Sequence, residues 1–478
     1  MSRTCLMIAL GLATSFVSAD NTSLDTSFAT SGRYNLTSGN YFKSVLAHLP
    51  KADGGSIVVS HYHDVDGAGN QINDDAILLQ HFAASGAAGS AHSVLAATCH
   101  FAIVGGAAID SQGRIIVVGS TASNYSNSDF RIARILSNGV LDTSFSGDGI
   151  AEIDFGGGGL NDDRANAVAI DRLDRIVVVG SAERNATGDL DFATARLNTV
   201  GALDTTFGGG DGKVLTYFDL GTTIRSDNAR AVAIGDDDLI NVVGGAYDSA
   251  VGVTRIAMAR MSSAGAPDGN FCSPSCNYMD TYTGIHSGRR VIFYGTATPA
   301  HSDQVATMAI NHDGALLLAG TTPGSGETLG FIQRFDPTGN WVAEAATQGG
   351  LSGEVSVGGV HWTQPGVADS NVILTGTSGP NQVFFFAQRF DAALFPSANW
   401  GIVGPSNSVY LWAGAPGGDF GDLGLNRPGR SSIDPAGRVL VGGRFKSGSL
   451  SNPYSATASR LTYNGPLATP DIFKNSFE

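Results

Sequence analysis

The chain has 478 residues, of which 64 are glycine and only 15% are charged, and its mean hydropathy is +0.05. Disordered chains combine low hydrophobicity with high charge, so this composition excludes one. The net charge of −15 excludes the basic footprint of a nucleic-acid binder. Abundant glycine with few charges suits many short strands joined by tight turns.

In chain order, the first stretch is MSRTCLMIALGLATSFVSA, with one arginine, an apolar run from Leu6 to Ala13 and small residues at Val17, Ser18 and Ala19. That order predicts a secretory signal over residues 1–19, cleaved before Asp20. The expectation is a secreted protein, extracellular or periplasmic. The run is shorter than the roughly 20 apolar residues a spanning helix requires, and no longer one follows, so no transmembrane segment is expected.

The phrase SLDTSF (Ser23 to Phe28) comes next, and it returns as LDTSF before Ser146 and as LDTTF before Gly208. Between these copies lies a longer unit. Seven segments join a short turn to a β-branched run, beginning with ADGGSIVVS, DSQGRIIVVG and DRLDRIVVVG, and they end at Ser60, Gly119, Gly180, Gly244, Gly320, Gly376 and Gly443. The intervals run from 56 to 76 residues, the mark of a structural repeat. A small-residue strand such as ANAVAI (Ala165 to Ile170) precedes each turn, and an alternating strand such as DFATARL (Asp191 to Leu197) follows a variable loop. Four short strands per unit predict an all-β fold, a β-propeller of seven four-stranded blades occupying residues 20–465. The last unit, ending near Gly465, has no LDTSF of its own. The orphan N-terminal strand is therefore expected to complete the last blade, since an unpaired sheet edge invites aggregation.

The phrases AVAIDRLDRIVVVG, DFATARLN and GALDTTFGGGDGKV resemble the delta-60 repeat, a bacterial family. The resemblance implies a propeller and carries no reaction with it. Arg134 and Asp142, Arg196 and Asp204, and Arg260 and Asp268 are each eight apart across a turn, so they are expected to meet as cross-strand structural pairs. Ring closure adds Arg460 with Asp25.

Three sequence features bear on chemistry. HYHDVDGAGNQINDD places Asp64, Asp66, Gly69 and Asp75 at positions one, three, six and twelve of a calcium-loop register. Position five is Ala68, and an Asp stands where the bidentate Glu belongs, so a solvated turn is the competing reading. His61 and His63 do not complete a metallohydrolase motif, and FGGGGLNDD (Phe155 to Asp163) is a single copy of a glycine-rich calcium phrase. Cys272 and Cys276 in FCSPSC are spaced for a disulfide in an oxidising compartment, with free thiols or a weak zinc half-site as alternatives. Cys99 is left over. No GxSxG, HExxH or GxxxxGK[ST] phrase occurs. No catalytic residue is assigned, and calcium is the single cofactor under consideration.

Short turns are expected on one face of the ring and variable loops on the other. Tyr217, Phe218, Trp362, Trp400 and Trp412 either line the variable face or pack between blades. Two functions fit: a non-catalytic binding or scaffold module for a protein or carbohydrate partner, or a propeller enzyme, glycoside hydrolase or lyase, acting on extracellular polysaccharide. The tail, residues 466–478, ends in DIFKNSFE, which resembles a C-terminal IFxxGFE signature of exported proteins with Ser476 in place of glycine.

Overall fold

A computed structural model describes residues 23–24, 27–29, 33–36, 41–64, 76–94, 101–121, 127–185, 188–220, 226–272, 288–292, 302–323, 328–347, 355–363, 370–378, 384–395, 408–411, 431–434, 436–446 and 454–462. The strands are β1 (Ser23–Leu24), β2 (Arg33–Leu36), β3 (Tyr41–Pro50), β4 (Ser56–Asp64), β5 (Ala76–Phe82), β6 (Ala88–Val94), β7 (Ile103–Ile109), β8 (Ile115–Ser120), β9 (Phe130–Ile135) and β10 (Ile150–Ile153). Then come β11 (Arg164–Ile170), β12 (Ile176–Glu183), β13 (Leu190–Leu197), β14 (Lys213–Thr216), β15 (Asp227–Ile234), β16 (Ile240–Asp248), β17 (Val253–Met261), β18 (Arg289–Ile292), β19 (Gln304–Ile310) and β20 (Leu316–Pro323). The remainder are β21 (Thr328–Phe335), β22 (Trp341–Ala346), β23 (Ser356–Trp362), β24 (Val372–Ser378), β25 (Phe384–Phe390), β26 (Ser408–Leu411), β27 (Ser432–Ile433), β28 (Val439–Lys446) and β29 (Tyr454–Thr462).

From β3 onward, successive groups of four strands form six antiparallel sheets, and β27, β28 and β29 form the seventh. Each sheet is one blade, counted in chain order. The fourth place in the last sheet is taken from the start of the chain: Leu24 opposes Leu461, and Arg33 to Leu36 oppose Ser459 to Ala456. Each innermost strand packs on the next, from β3 through β7, β11, β15 and β19 to β23, and β27 touches both β23 and β3. The result is a seven-bladed propeller around a central axis.

The β-branched runs explain the stacking. Side chains alternate across a sheet with period two, so an uninterrupted apolar run buries both faces. Ile116 and Val118 pack against the third blade, in one layer with Ala165, Val168 and Val178. Their neighbours Ile115 and Val117 face the first blade, with Ile57, Val59 and Leu79. Similar layers fill the joints between blades three and four, four and five, and five and six. Phe28, Val45, Val58 and Phe82 occupy the joint between the last blade and the first.

The glycine that closes five of the runs has a steric cause, while Ser60 takes that place in the first blade. A Cβ on Gly180 would stand 1.7 Å from the Arg164 carbonyl oxygen, and on Gly119, Gly244, Gly320 and Gly376 at 2.0–2.1 Å from the matching inner-strand oxygen. The inner strand carries a bulge beside each of these contacts, between Ala165 and Ala167 in β11 and between Ala229 and Ala231 in β15. Gly180→Ala therefore overpacks the sheet and is expected to cost about 1–3 kcal/mol, measurable by chemical denaturation. A cost below ~0.5 kcal/mol would show that the backbone yields.

The arginines of the eight-residue pairs do more than join two strands. Arg134 donates through Nε to Asp142 (2.8 Å) and through Nη2 to Ser144 (3.0 Å), with its guanidinium 4.7 Å above the Phe145 ring. Its Nη1 donates to the Thr199 carbonyl of the next blade. Arg196 repeats the set on Asp204, Thr206, Phe207 and Ser263. Arg260 does so on Asp268, Phe271 and Pro337. The LDTSF phrase is thus a socket: Asp and Ser/Thr hold the guanidinium and Phe floors it. At the last joint the N-terminal phrase supplies the same parts, since Arg460 lies over Phe28 (5.1 Å) and donates to Ser27 Oγ (3.1 Å) and Ala84 O (3.0 Å). Asp25, the expected partner of Arg460, lies outside the described residues. The residue after each Phe also donates its amide to the next blade's turn, as Ala29 does to Gly86 O (2.7 Å), Ser146 to Val200 O (2.8 Å) and Gly208 to Ala264 O (3.1 Å).

Candidate functional site

The turns joining the first strand to the second, and the third to the fourth, lie at one end of the blades. Those after the first strand are short and internally tied: Asp110, Asp171 and Asp434 each accept two turn amides and the side chain of Arg114, Arg175 or Arg438. Ser111 to Asp174, Arg172 to Asp238 and His312 to Asp236 link one such turn to another across blade joints. Those after the third strand are longer where they hold the LDTSF phrases, so this end is not uniformly trim. The connections from second strand to third and from each blade to the next lie at the opposite end, where their sequences vary, and two clusters of carboxylates occupy equivalent places there.

The first cluster stands where the second blade meets the third. Asp129 precedes β9, Asp154 follows β10 and Asp163 precedes β11; their carboxylate oxygens lie within 4.8 Å of one another. Asp163 is fully buried and accepts the Phe155 amide (2.7 Å) and the Glu183 amide (3.2 Å). Burial pushes its carboxyl up to about 7, the charges of Asp154 and Asp129 adding to the shift. An all-oxygen set of this kind suits a hard cation such as calcium.

The second cluster repeats the plan one blade on, with Asp189, Asp191 and Asp219 again within 4.8 Å. Here the protein supplies the cation. Arg184 donates to Asp189 and to Asp219 (2.9 Å), and its Nε lies 3.2 Å from Asp191. Asp191 opens the same strand position as Asp129 and is fully buried, with its carboxyl pushed up to about 7 by burial. Asp227, in the place of Asp163, accepts the Phe218 amide (2.8 Å), and burial together with Asp191, Asp219 and Asp189 pushes it up to about 8. Two guanidinium groups lie over the half-buried Tyr217 ring, Arg184 at 4.8 Å and Arg289 at 4.3 Å. Arg289 also donates to the Tyr217 carbonyl (2.7 Å).

These raised carboxyls set a pH dependence. A folded-state carboxyl above the ordinary 3.8 adds stability that is complete below that value and is lost as pH rises through 7 to 8. On the acid side, Asp142 and Asp204 are buried, which alone would raise them. Ser144 and Thr206, then Arg134 and Arg196, hold them below the ordinary value, so their contribution is lost as pH falls below about 4. The thermal midpoint is therefore expected to be highest near pH 4–6 and to decline toward pH 8.5. Asp227→Asn keeps the acceptor for Phe218 and should flatten the alkaline limb. A midpoint that rises between pH 6 and 8.5, or a variant with the wild-type slope, would contradict this.

Among the residues singled out from sequence as lining the variable face or packing between blades, Tyr217 stands half-buried just after β14, at the loop end. Phe218 turns inward, 9% exposed, against Phe192 (5.0 Å), and Trp362 is buried at 2% exposure beneath Arg334 (5.2 Å), so both are packing residues. Asp64 ends β4 opposite Tyr41, whereas Asp66, Asp75, Trp400, Trp412 and the C-terminal tail lie outside the described residues. Cys272 is buried and disulfide-bonded; Cys276 and Cys99 lie outside the described residues. Arg184, Asp189, Asp219, Asp227 and Arg289 carried no motif, and the cue to them was the recurrence of Asp before Phe at the start of the third strand.

Residues 111–145 and 174–207 match a family model described as "Domain of unknown function (DUF5122) beta-propeller". No curated protein matches the chain. Among solved structures, the chain is similar to a protein of unknown function from Dyadobacter fermentans DSM 18053, at 11% identity and a TM-score of 0.48 over 91% of this chain and 98% of that one. It is also similar to the polysaccharide lyase Uly1, at 8% identity and 0.47 over 88% and 90%, and to Chaetomium thermophilum Sqt1 bound to the N-terminus of ribosomal protein L10, at 12% and 0.40 over 87% and 98%. Scores and identities this low speak to no shared activity.

Proposed function

We propose that this propeller is an exported, non-catalytic binding module that takes a carbohydrate or protein partner on its variable-loop end. The observation that carries the reading is the stack of Arg184, Tyr217 and Arg289. It is half-buried, locked by carboxylates and a backbone carbonyl, and displayed on a rigid ring. Preformed aromatic and guanidinium groups on loops over a rigid scaffold are the usual material of recognition sites. Binding of the chain to a broad glycan panel and to extracellular protein extracts tests it, with calcium and with chelator. Saturable capture lost in Tyr217→Ala supports the module, and capture unaffected by that change counts against it.

Asp163, Asp191 and Asp227 favour a second reading. Carboxyls raised to 7 or 8 are poised for proton transfer near neutral pH, and a polysaccharide-cleaving enzyme would use them so. Release of new reducing or unsaturated ends from a bound glycan, abolished in Asp227→Asn, would establish that reading in place of the first.

A further inference from the structure

We infer that the carboxylates at the joint of the third and fourth blades hold a calcium ion, bound by Asp191 and Asp227 together with Asp189 and Asp219. The site goes beyond the binding-module reading and does not depend on which partner the propeller takes. Asp189 and Asp191 flank Leu190 at the start of β13, Asp219 follows β14, and Asp227 opens β15 in the next blade. A parallel bridge between Leu190 and Ser226 sets these two strand starts side by side, so the register brings Asp227 next to Asp191. One oxygen from each of Asp189, Asp191 and Asp219 lies within 4.8 Å of the other two. Three oxygens that close can share one calcium ion, whose oxygen ligands stand about 2.3–2.6 Å away.

Acidic clusters are common on surfaces, but this one lies inside the protein. Asp191 and Asp227 are 0% and 1% exposed, and among the described residues Oδ1 of each has no hydrogen-bond donor. A carboxylate oxygen buried without a partner is costly, so these two oxygens call for a ligand of opposite charge. Arg184 answers only part of the demand. It donates to Asp189 and Asp219 and approaches Oδ2 of Asp191, and Arg289 is the other cation acting on Asp191. Asp227 spends Oδ2 on the Phe218 amide, and among the described residues no ion pair engages it. Four carboxylates against two guanidinium groups leave two negative charges, which one divalent ion balances. The donors are all carboxylate oxygens, without the histidine or cysteine that zinc favours. Magnesium keeps several waters in a strict octahedron, whereas calcium accepts an irregular set of carboxylates from a dry site. The equivalent cluster one blade earlier lacks the orphaned oxygens, since both oxygens of Asp163 accept amides and Asp154 is exposed. At the inferred place the ion ties the third blade to the fourth, beside the Tyr217 ring over which Arg184 lies.

The test is calorimetric titration of the full chain, first freed of metal by a chelator, with calcium chloride and with magnesium chloride. Calcium should bind saturably, at least about tenfold tighter than magnesium, and Asp191→Asn or Asp227→Asn should weaken it about tenfold or more, because ligand charge sets calcium affinity. The thermal midpoint of the wild-type chain should climb with calcium concentration, and those of the two Asn variants should not. No saturable calcium binding, magnesium bound as tightly, or calcium affinity untouched in both Asn variants would each overturn the inference. Calcium binding that Asp163→Asn removes and Asp191→Asn leaves intact would put the ion one blade earlier and overturn it too. Should the Asn variants not fold, Arg184→Gln replaces them. Removing that positive charge from beside the ion should tighten calcium binding, and unchanged or weaker binding overturns the inference. Calcium bound as described by a chain that captures no glycan or protein would leave the inference standing without the module.

Discussion

Phe28→Ala is expected to destabilise the protein by about 3–5 kcal/mol, the cost of truncating a fully buried phenylalanine, although Phe28 lies near the start of the chain. Phe28 packs on Phe82 (4.6 Å) in the first blade and under Arg460 of the last, and Gly86 approaches its backbone so closely that a Cβ there would stand 2.4 Å from the Phe28 Cα. Removing residues 20–36 also takes away β1 and β2 and bares the edge of β29. That truncation should lower the thermal midpoint more than Phe28→Ala does and should bring on aggregation through the exposed edge. A truncated chain with an unchanged midpoint would mean that the ring is held without its N-terminal strands.

Arg196→Met is the second large effect, expected at about 3–5 kcal/mol. The methionine fills the space over Phe207 but leaves Asp204 without its main cation and the Ser263 carbonyl without its donor. Arg196→Lys should recover little, because one ammonium cannot serve Asp204, Thr206 and Ser263 in their planar arrangement. The double variant Arg196→Met with Asp204→Leu should regain part of the loss, since replacing both members of a buried pair by apolar groups is often close to neutral. Denaturation of all four proteins checks this. A single variant within ~1 kcal/mol of wild type would reduce the socket to an ordinary surface pair, although Arg196 is 1% exposed.

Much of this fold is legible in the sequence because the ring repeats one physical problem. A sheet packed on both sides needs continuous β-branched runs, and in five blades the inner strand brings a carbonyl oxygen so close that glycine stands beside its bulge, so runs such as IVVVG mark those blades. The Arg–Asp spacing is legible for the same reason, as it crosses a turn of constant length. The partners one blade away are not: nothing local places Thr199, Ser263 or Pro337 over an arginine some 65 to 77 residues earlier. Nor does the pattern reveal that His81, Arg334 and Arg389 share the position of Arg134, because their units lack the LDTSF phrase; the strand register shows it, each standing opposite the second residue of its second strand. The variable end was foreseeable as a place and not as a chemistry. Asp191 and Arg184 are seven residues apart across a variable loop, and in the next blade the same two positions hold Asp248 and Arg255 with the charges exchanged. A motif search keyed to residue type passes over such a swap.

Which end of the ring meets the partner is the central question, and one comparison decides it most directly. A captured glycan or protein would be titrated against wild type, Tyr217→Ala on the variable end and Arg172→Ala on the short-turn end, where the exposed pair with Asp238 contributes little to stability. The account predicts affinity lost in Tyr217→Ala, unchanged in Arg172→Ala, and no product released on prolonged incubation. Affinity lost only in Arg172→Ala would place the partner on the opposite end, and steady product release would make the protein an enzyme.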